Sequence, residues 1–237
     1  MSVLALLLAG PLQAWGASAR FARRTTEPAP TKSGVIGLLA AAQGRERADN
    51  LSDLAELRFG VRVDQPGTRV RDYQTATHFD TGRSMPVSER FYLSDAVFVA
   101  AVEGDDALIE ALHRAVQNPV YLPYLGRRSC PPARRIDLGV HHGTTLEQVL
   151  AGEQWYAAEW YQRSRRGEAE VALTVLVDAV PGDGRSDSLR DLPLSFDPRH
   201  RRYALRGVRT HTVHASNPRA RRSAPPDHDP TLLLRGD

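Results

Sequence analysis

A run of seven apolar residues, Val3 to Ala9, lies close to the start of the chain and most constrains its fold. Seven residues are too few to span a membrane, and the run has no polar alternation, so it predicts a strand that is buried on both faces. With 237 residues, 41% of them hydrophobic, the chain is long enough for one large domain or two small ones.

The segment that follows predicts an anion-binding helix start. A glycine-bracketed loop, Gly10 to Gly16, leads into a basic run and then into a helix that we expect to span Lys32 to Ala42. Thr31 is a good N-cap because its hydroxyl can accept a backbone N–H, and an anion is favoured at the positive end of the helix dipole. The alternative is a plainly capped core helix whose lysine lies in solvent. A Walker A loop is not present, since Lys32 precedes its glycine.

The order of the next elements predicts an α+β fold. Strands are expected at Arg58 to Asp64, Phe91 to Val102 and Val120 to Leu125, and a helix capped by Asp105 ends at Asn118. The polar stretch from Thr68 to Glu89 is typical of a protruding hairpin or loop. The strand at Val120 to Leu125 would complete a ferredoxin-like, RRM-like βαββαβ core, a topology that RNA-binding sheets share with many unrelated proteins.

The remainder of the chain predicts a small, mainly β part. We expect a helix at Thr145 to Ala151, a buried strand at Val171 to Val177, a loop at Asp183 to Asp191, and a closing hairpin of Arg202 to Leu205 and Val208 to His214. An aromatic cluster at helical spacing is interpreted as core or as a subunit contact; the alternative is a platform for stacking bases. Its members are Trp155, Tyr156, Trp160 and Tyr161. From Ala215 the composition predicts a poorly ordered tail.

Charge is segregated along the chain. The net charge is only +3, yet three windows, Arg20 to Arg24, Arg127 to Arg135 and Arg199 to Arg222, contain arginines and no acid. Arginine is the better planar ligand for phosphates and bases, so this distribution favours a polyanion partner. The alternative is three unrelated solvated surfaces.

Several classes of protein are disfavoured by the same composition. One cysteine, Cys130, excludes an internal disulfide and a cysteine-based zinc cluster, and we expect neither a metal nor a cofactor. The apolar start resembles a signal peptide, but it lacks a basic leading region and is interrupted by Pro11 and Gln13. We therefore expect a cytoplasmic protein without membrane contact.

Five motifs in order carry a resemblance to a known family. They are Gly10-Pro-Leu-Gln-Ala-Trp-Gly16, Pro30-Thr-Lys-Ser-Gly-Val-Ile-Gly-Leu-Leu39, Phe59-Gly-Val-Arg-Val-Asp-Gln-Pro-Gly67, Asp72-Tyr-Gln-Thr75 and Leu125-Gly-Arg-Arg-Ser-Cys-Pro-Pro132. Together they resemble the CasD family of the RAMP superfamily, whose members hold the 5′ handle of the guide RNA (crRNA) in type I-E CRISPR Cascade. The similarity extends from Ser2 to about His214.

The resemblance implies an organisation and a set of partners. It implies a ferredoxin-like RNA-binding domain at 1–136 with a β-hairpin thumb at about 68–90, a C-terminal subdomain at 137–214 and a tail at 215–237. It also implies contacts with the crRNA 5′ handle, the Cascade backbone subunit and the large PAM-reading subunit, with target DNA reached only indirectly. The family in type I-E looks non-catalytic.

These considerations together nominate the following residues. Those expected to bind RNA are Gln13, Trp15, Arg20, Arg23, Arg24, Thr31, Lys32, Ser33, Arg127, Arg128 and Ser129. Those expected on the thumb, against the guide and a neighbouring subunit, are Arg69, Arg71, Tyr73 and His78. Gly10, Gly16 and Gly126 are expected to let the backbone approach the RNA.

Two rival functions remain open at this stage. A metal-independent endoribonuclease that processes precursor crRNA would need a general base and a cation, for which Lys32 with Tyr73 or His78 are candidates. His141 and His142 are adjacent, so in a strand they would point to opposite faces. A type I-C relative of the family cuts precursor crRNA with a tyrosine, a lysine and a histidine, but the Lys-His dipeptide of that type is not present in this sequence. The other rival is a pure protein–protein scaffold.

Overall fold

The apolar run near the start of the chain forms strand β1 (Ser2–Ala9), whose eight residues are all buried. The computed structural model describes residues 1–17, 23–180, 182, 186–197 and 199–221. β1 pairs antiparallel with a different strand on each of its edges. The predicted buried strand is confirmed.

The described residues form short strands, long strands and a few helices. The other strands are β2 (Leu12–Gln13), β3 (Arg23–Arg24), β4 (Arg58–Gln65), β5 (Thr68–Gln74), β6 (Ser88–Ser94), β7 (Val97–Gly104), β8 (Asp137–His142), β9 (Glu170–Asp178), β10 (Asp187–Ser195) and β11 (Arg202–Ser216). The helices are α1 (Lys32–Ala42), α2 (Ser52–Ala55), α3 (Asp106–Gln117), α4 (Leu146–Gly152) and α5 (Glu159–Ser164).

A seven-stranded sheet organises the described residues. Its strand order is β10-β11-β9-β4-β7-β1-β8, and each neighbouring pair is antiparallel. α1 lies in the connection from β1 to β4, and α3 connects β7 to β8. The predicted α+β class is confirmed.

Helices cover both faces of this sheet because β1 sends apolar side chains to both. Successive side chains of a strand point to opposite faces, so Leu4, Leu6 and Leu8 enter the core under α1 and α3. Val3 and Ala5 enter a second core under α4. One fully apolar strand thus requires two helical layers.

A smaller sheet is built around the predicted hairpin. β5 and β6 pair antiparallel from Thr68 opposite Ser94 to Gln74 opposite Ser88, and residues 75–87 connect them. On its other edge β6 pairs with β2 and, in parallel, with β3. The hairpin therefore holds the short basic strand β3 in place.

The predicted strand from Val120 to Leu125 is wrong. Its first two N–H groups do not enter the sheet: those of Val120 and Tyr121 donate to the carbonyl oxygens of Ala42 and Ala41 at 3.0 and 3.3 Å. They thereby satisfy acceptors at the end of α1 that have no partner within the helix. The strand beside β1 is instead β8, which is short, half-buried and poor in apolar residues.

Three further expectations need correction. The strand predicted at Phe91 to Val102 is split at Asp95, whose backbone is left-handed with φ of 57°, so β6 and β7 belong to different sheets. The region predicted as a loop at Asp183 to Asp191 lies outside the described residues at 183–185 and then enters β10. The closing hairpin is one long strand, β11, which pairs with β10 over its first half and with β9 from Val208 onward.

The expected boundary after residue 136 falls directly before β8, which pairs with β1. The strands of the expected C-terminal part continue the same sheet beyond β4. The predicted tail begins inside β11, where Ala215 is buried, and its residues 222–237 lie outside the described part of the chain. Among the described residues, no helix has the length and apolar character needed to cross a membrane.

Gly126 offers a test of how tightly the loop after α3 packs against the segment after β1. Its φ is +82°, and a Cβ there would lie 1.8 Å from the carbonyl oxygen of Ala14. We expect Gly126→Ala to lower the free energy of unfolding by about 3 kcal/mol or more, since strain and a backbone clash add together. Urea denaturation measures the loss.

Gly82→Ala is the matched control, because Gly82 also has a positive φ, of +64°, but no atom lies within 4 Å of its Cβ position. We expect a loss of about 1 kcal/mol from the left-handed conformation alone. Equal losses in the two variants would contradict the close approach of Gly126 to Ala14.

Candidate nucleic-acid interface

An exposed basic surface lies on one face of the hairpin. Arg69, Arg71 and Tyr73 alternate along β5, so their side chains share this face. They lie opposite Leu93, Phe91 and Glu89 of β6, and Arg23 of β3 lies opposite Glu89 from the other edge. We call this surface the hairpin face; it consists of Arg23, Arg69, Arg71, Tyr73, Glu89 and Phe91.

Aromatic rings support the guanidinium groups of the hairpin face. The guanidinium of Arg69 lies 4.4 Å from the ring centre of Phe91, and that of Arg23 lies 5.5 Å from it. Arg71 lies 5.0 Å from the ring centre of Tyr73. Such stacking holds the guanidinium planes in place while their N–H groups stay in solvent.

One carboxylate moderates the charge of this face. Glu89 pairs with Arg23 and with Arg71, each at 3.2 Å. Three guanidinium groups against one carboxylate leave a net charge of +2. Exposed guanidinium groups and the exposed ring of Tyr73 suit phosphate pairing and base stacking on an extended single strand.

Arg127 ties the loop after α3 to the basic strand β3. Its Nη2 donates to the carbonyl oxygen of Arg24 at 2.8 Å, and its guanidinium lies 4.6 Å from the ring centre of Tyr92. Its Nη1 is buried and makes no hydrogen bond to any described residue. Arg127 therefore positions β3, while Arg128 and Ser129 are exposed beside it.

The expectation that Gln13 and Trp15 contact bases does not fit their burial. Both are 0% exposed. The amide nitrogen of Gln13 donates to the carbonyl oxygens of Leu8 and Ala96 at 3.0 and 2.8 Å, and its amide oxygen accepts from the indole N–H of Trp15 at 3.1 Å. These two residues are structural, and they join the end of β1 to the turn before β7.

The glycines near them approach protein rather than an open surface. A Cβ at Gly10 would lie 2.9 Å from the carbonyl oxygen of Pro131, and one at Gly34 would lie 2.8 Å from the ring of Trp15. With Gly126 against Ala14, these close approaches show that the glycine-containing motifs pack the loops together. This corrects the expectation that Gly10 and Gly126 make room for RNA.

Lys32 lies in a network of four charges, of which Lys32 and Asp191 are buried and Asp178 and Arg206 mostly so. Its ammonium is 2.9 Å from Asp178, and Arg206 pairs with both Asp178 and Asp191 at 2.7 Å. The side chain of Lys32 is only 5% exposed. The expectation that Lys32 presents its charge to a phosphate does not fit this arrangement.

An anion does lie at the start of α1, but the protein supplies it. The backbone N–H of Lys32 donates to the carboxylate of Asp191 at 2.8 Å. Thr31 caps the helix as predicted, accepting the N–H of Gly34 at 3.2 Å, and Ser33 is buried beside it. The helix start therefore anchors β10 instead of offering an open phosphate site.

The pKa values of two groups near this region, Glu27 and Cys130, are shifted by their surroundings. Burial raises the pKa of Glu27, the charge of Asp191 raises it further, and Arg69 opposes them. Burial raises the pKa of the Cys130 thiol, although a hydrogen bond with Ser129 partly offsets the effect. Cys130 is thus a neutral packing residue next to the Arg127 loop.

The candidate nuclease residues are not brought together. Lys32 is paired beside β9, whereas His141 and His142 lie on β8 and pair with Glu153 and Glu110. Three strands separate β8 from β9, which is about 19 Å at ordinary strand spacing. Tyr73 and His78 lie on the hairpin, and Arg20 falls outside the described residues. No cluster of metal-ligating side chains occurs in the described residues.

Sequence reasoning missed several residues of the interface and its support. Phe91 and Glu89 could have been found from the alternation of the hairpin strands, because each faces a nominated residue of β5. Asp178, Asp191 and Arg206 carried no local signal, since the two aspartates meet Lys32 across more than a hundred residues of sequence and Arg206 meets only the aspartates.

Comparisons with known proteins agree with one another. The family model described as CRISPR-associated protein (Cas_Cas5) matches residues 3–209. The Escherichia coli (strain K12) protein named CRISPR system Cascade subunit CasD is 37% identical over 218 residues, covering 84% of this chain and 91% of the relative.

Two solved structures are similar as well. One, described as "Crystal structure of Cas protein", has a TM-score of 0.70 at 36% identity and covers 94% of this chain and 100% of its own. The other, described as "CRISPR RNA-guided surveillance complex", has a TM-score of 0.73 at 32% identity and covers 98% of this chain and 97% of its own.

The buried network predicts that Lys32 acts on stability. We expect Lys32→Met to lower the free energy of unfolding by about 3 kcal/mol, because the buried Asp191 and the mostly buried Asp178 would then share one cation. Arg45→Met is the control, since Arg45 pairs with the exposed Asp53 and its loss should cost less than about 1 kcal/mol. Thermal and urea unfolding measure both, and similar losses would contradict the buried role of Lys32.

Proposed function

The chain belongs to the Cas5 family of CRISPR-associated proteins, and from this premise we propose that it is an RNA-binding subunit of a type I-E CRISPR Cascade complex. In this role it holds the 5′ handle of the crRNA for antiviral DNA targeting and leaves the RNA intact. The observation that carries the proposal is the hairpin face, with its net positive charge and ring-supported guanidinium groups.

The mode of binding follows from the chemistry of that face. Arg23, Arg69 and Arg71 pair with phosphates, since planar guanidinium groups match phosphate oxygens in a bidentate manner. A base of the single-stranded handle stacks on the exposed ring of Tyr73 or on a guanidinium plane. Glu89 keeps Arg23 and Arg71 oriented until phosphates compete for them.

The second part of the interface is the loop that carries Arg127. Arg24, Arg128 and Ser129 bind RNA from exposed positions, and Arg127 contributes its positive charge beside them. Arg20, in the same basic segment, adds a further phosphate pairing. The hairpin face and this loop meet through the bond from Arg127 to the Arg24 carbonyl oxygen.

The finer architecture belongs to the same proposal. The unit β8-β1-β7-β4 with α1 and α3 acts as a ferredoxin-like core, and the β5–β6 hairpin acts as the thumb. His78 and the rest of residues 75–87 contact the guide and the neighbouring backbone subunit. The large PAM-reading subunit is the other protein partner, and target DNA is reached only through the assembled complex.

A metal-independent nuclease is the less favoured candidate. Cleavage requires a base beside the 2′-hydroxyl and a cation beside the scissile phosphate. Lys32 is ion-paired with Asp178, and the histidines of β8 lie on an edge strand that is distant from Lys32. No specific arrangement of described residues supports that chemistry.

Single arginine substitutions on the hairpin face test RNA binding. We expect Arg69→Ala and Arg71→Ala each to weaken binding of an RNA with a repeat-derived 5′ end by about 1–3 kcal/mol. Removing one arginine–phosphate pair should also make the fall of log affinity with log salt shallower, by about 0.7 in slope. Fluorescence anisotropy over a salt series measures both quantities.

Arg163→Ala serves as the matched control for charge, because Arg163 is exposed on α5, pairs with Glu159 and is not part of the hairpin face. We expect its affinity and salt slope to equal those of the unmodified chain. An unchanged affinity in Arg69→Ala and Arg71→Ala would favour the protein–protein scaffold instead.

Incubation with labelled repeat RNA tests the absence of cleavage. We expect the RNA to remain full length after prolonged incubation with the purified chain in chelator, as judged on a denaturing gel. Fragments that disappear in Tyr73→Phe would establish the nuclease and overturn the proposal.

A further inference from the structure

A shallow hollow of about 100 Å³ lies at the base of the hairpin. It is lined by Gln65, Pro66, Gly67, Thr68, Ser94, Asp95, Trp160 and Tyr161. Thr68 and Ser94 lie opposite each other, one residue along from the Arg69–Leu93 pair, so their side chains point to the other side of the small sheet from the hairpin face. The hollow is therefore distinct from the proposed RNA surface.

Trp160 gives the hollow an exposed aromatic wall. It is 59% exposed, and its ring meets Tyr161 edge to face at 5.6 Å. Tyr161 in turn meets Trp155 at 6.0 Å, and Trp155 is buried with its indole N–H donating to the carbonyl oxygen of Asp64 at 2.9 Å. A chain of aromatic contacts anchored in the core thus holds Trp160 in a fixed orientation in solvent, which is typical of an interface anchor.

Asp95 supplies a fixed charge beside this ring. Its backbone is held from both sides, because its N–H donates to the carbonyl oxygen of Pro11 at 3.1 Å and its own carbonyl oxygen accepts from Gln65 at 2.5 Å. Its carboxylate accepts from the hydroxyl of Ser94 at 3.3 Å. Throughout the described ranges, no basic side chain lies within ion-pair distance of it, and it is the one charged side chain among the eight that line the hollow.

We propose that this hollow binds an arginine side chain of a protein partner. A guanidinium can stack on the indole of Trp160 and pair with the carboxylate of Asp95 at the same time, since it is planar and carries donors at its edge. A phosphate is disfavoured because Asp95 would repel it, and a lysine lacks the planar surface. The inference rests on the proposed function in one respect: the partner is a neighbouring subunit of the complex.

Reconstitution of the complex tests the inference. The chain is titrated into a complex assembled from the other subunits of its own system with a guide RNA, and its apparent affinity is measured by biolayer interferometry. We expect Trp160→Ala and Asp95→Asn each to weaken incorporation at least tenfold. The double variant should lose little more affinity for the complex than the weaker-binding single variant does, because both residues hold the same guanidinium group.

The substitutions are chosen to leave the fold intact. Asparagine tolerates the left-handed backbone of Asp95, and Trp160 is mostly outside the core. Asp187→Asn and Tyr121→Ala are the matched controls, each removing an exposed carboxylate or aromatic ring elsewhere, and both are expected to join the complex normally. The handle-RNA affinity of the isolated chain should be unchanged in every one of these variants.

Two results would overturn the inference while leaving the proposed function standing. Normal incorporation of both Trp160→Ala and Asp95→Asn is the first. A parallel loss of handle-RNA affinity in the isolated chain is the second, and it would assign the hollow to a nucleobase. An unmodified chain that fails to join the complex would overturn the proposed function itself, and with it this inference, before any variant is compared.

Discussion

The buried network of Lys32, Asp178, Asp191 and Arg206 is the interaction on which the rest of the structure depends. It joins the first residue of α1 to β9, β10 and β11, which lie more than a hundred residues later in the chain. Because unpaired buried charges are costly, the four groups are stable only when all of these elements are in place. The network therefore couples the N-terminal strand–helix unit to the far part of the seven-stranded sheet.

Much of the fold could be predicted from the sequence, because the strongest signals are local. The apolar run of β1, the Thr31 cap and the Asp105 cap all act within a few residues, and each is observed. β8 was missed because an edge strand buries little and has a weak apolar pattern. The division of Phe91 to Val102 depends on Asp95, a left-handed non-glycine residue that no periodicity indicates.

The candidate site shows the same difference between local signals, which the sequence reveals, and distant contacts, which it does not. Arg23 was nominated from the basic run after the first strand, and Arg69 and Arg71 from the thumb that the resemblance implies. The three occur together because the hairpin register aligns them. Lys32 was predicted as a phosphate ligand from sound helix-dipole physics, yet the anion at that helix is Asp191. Sequence reasoning can state that a helix start prefers an anion, but it cannot tell whether a distant carboxylate already fills the position. Gln13 and Trp15 show the same limit, since polar or amphipathic side chains can satisfy one another inside a core.

The base of the hairpin has a consequence for how this protein can change over evolution. A Cβ at Gly67 would lie 2.4 Å from the carbonyl oxygen of Ser94, so the two segments that enter and leave the hairpin are in close contact. Substitutions at this crossing would tilt the whole hairpin, whereas residues 75–87 at its far end touch little of the protein. The fold therefore places little constraint on the identity of the distal residues, but it fixes the angle at which they extend from the sheet.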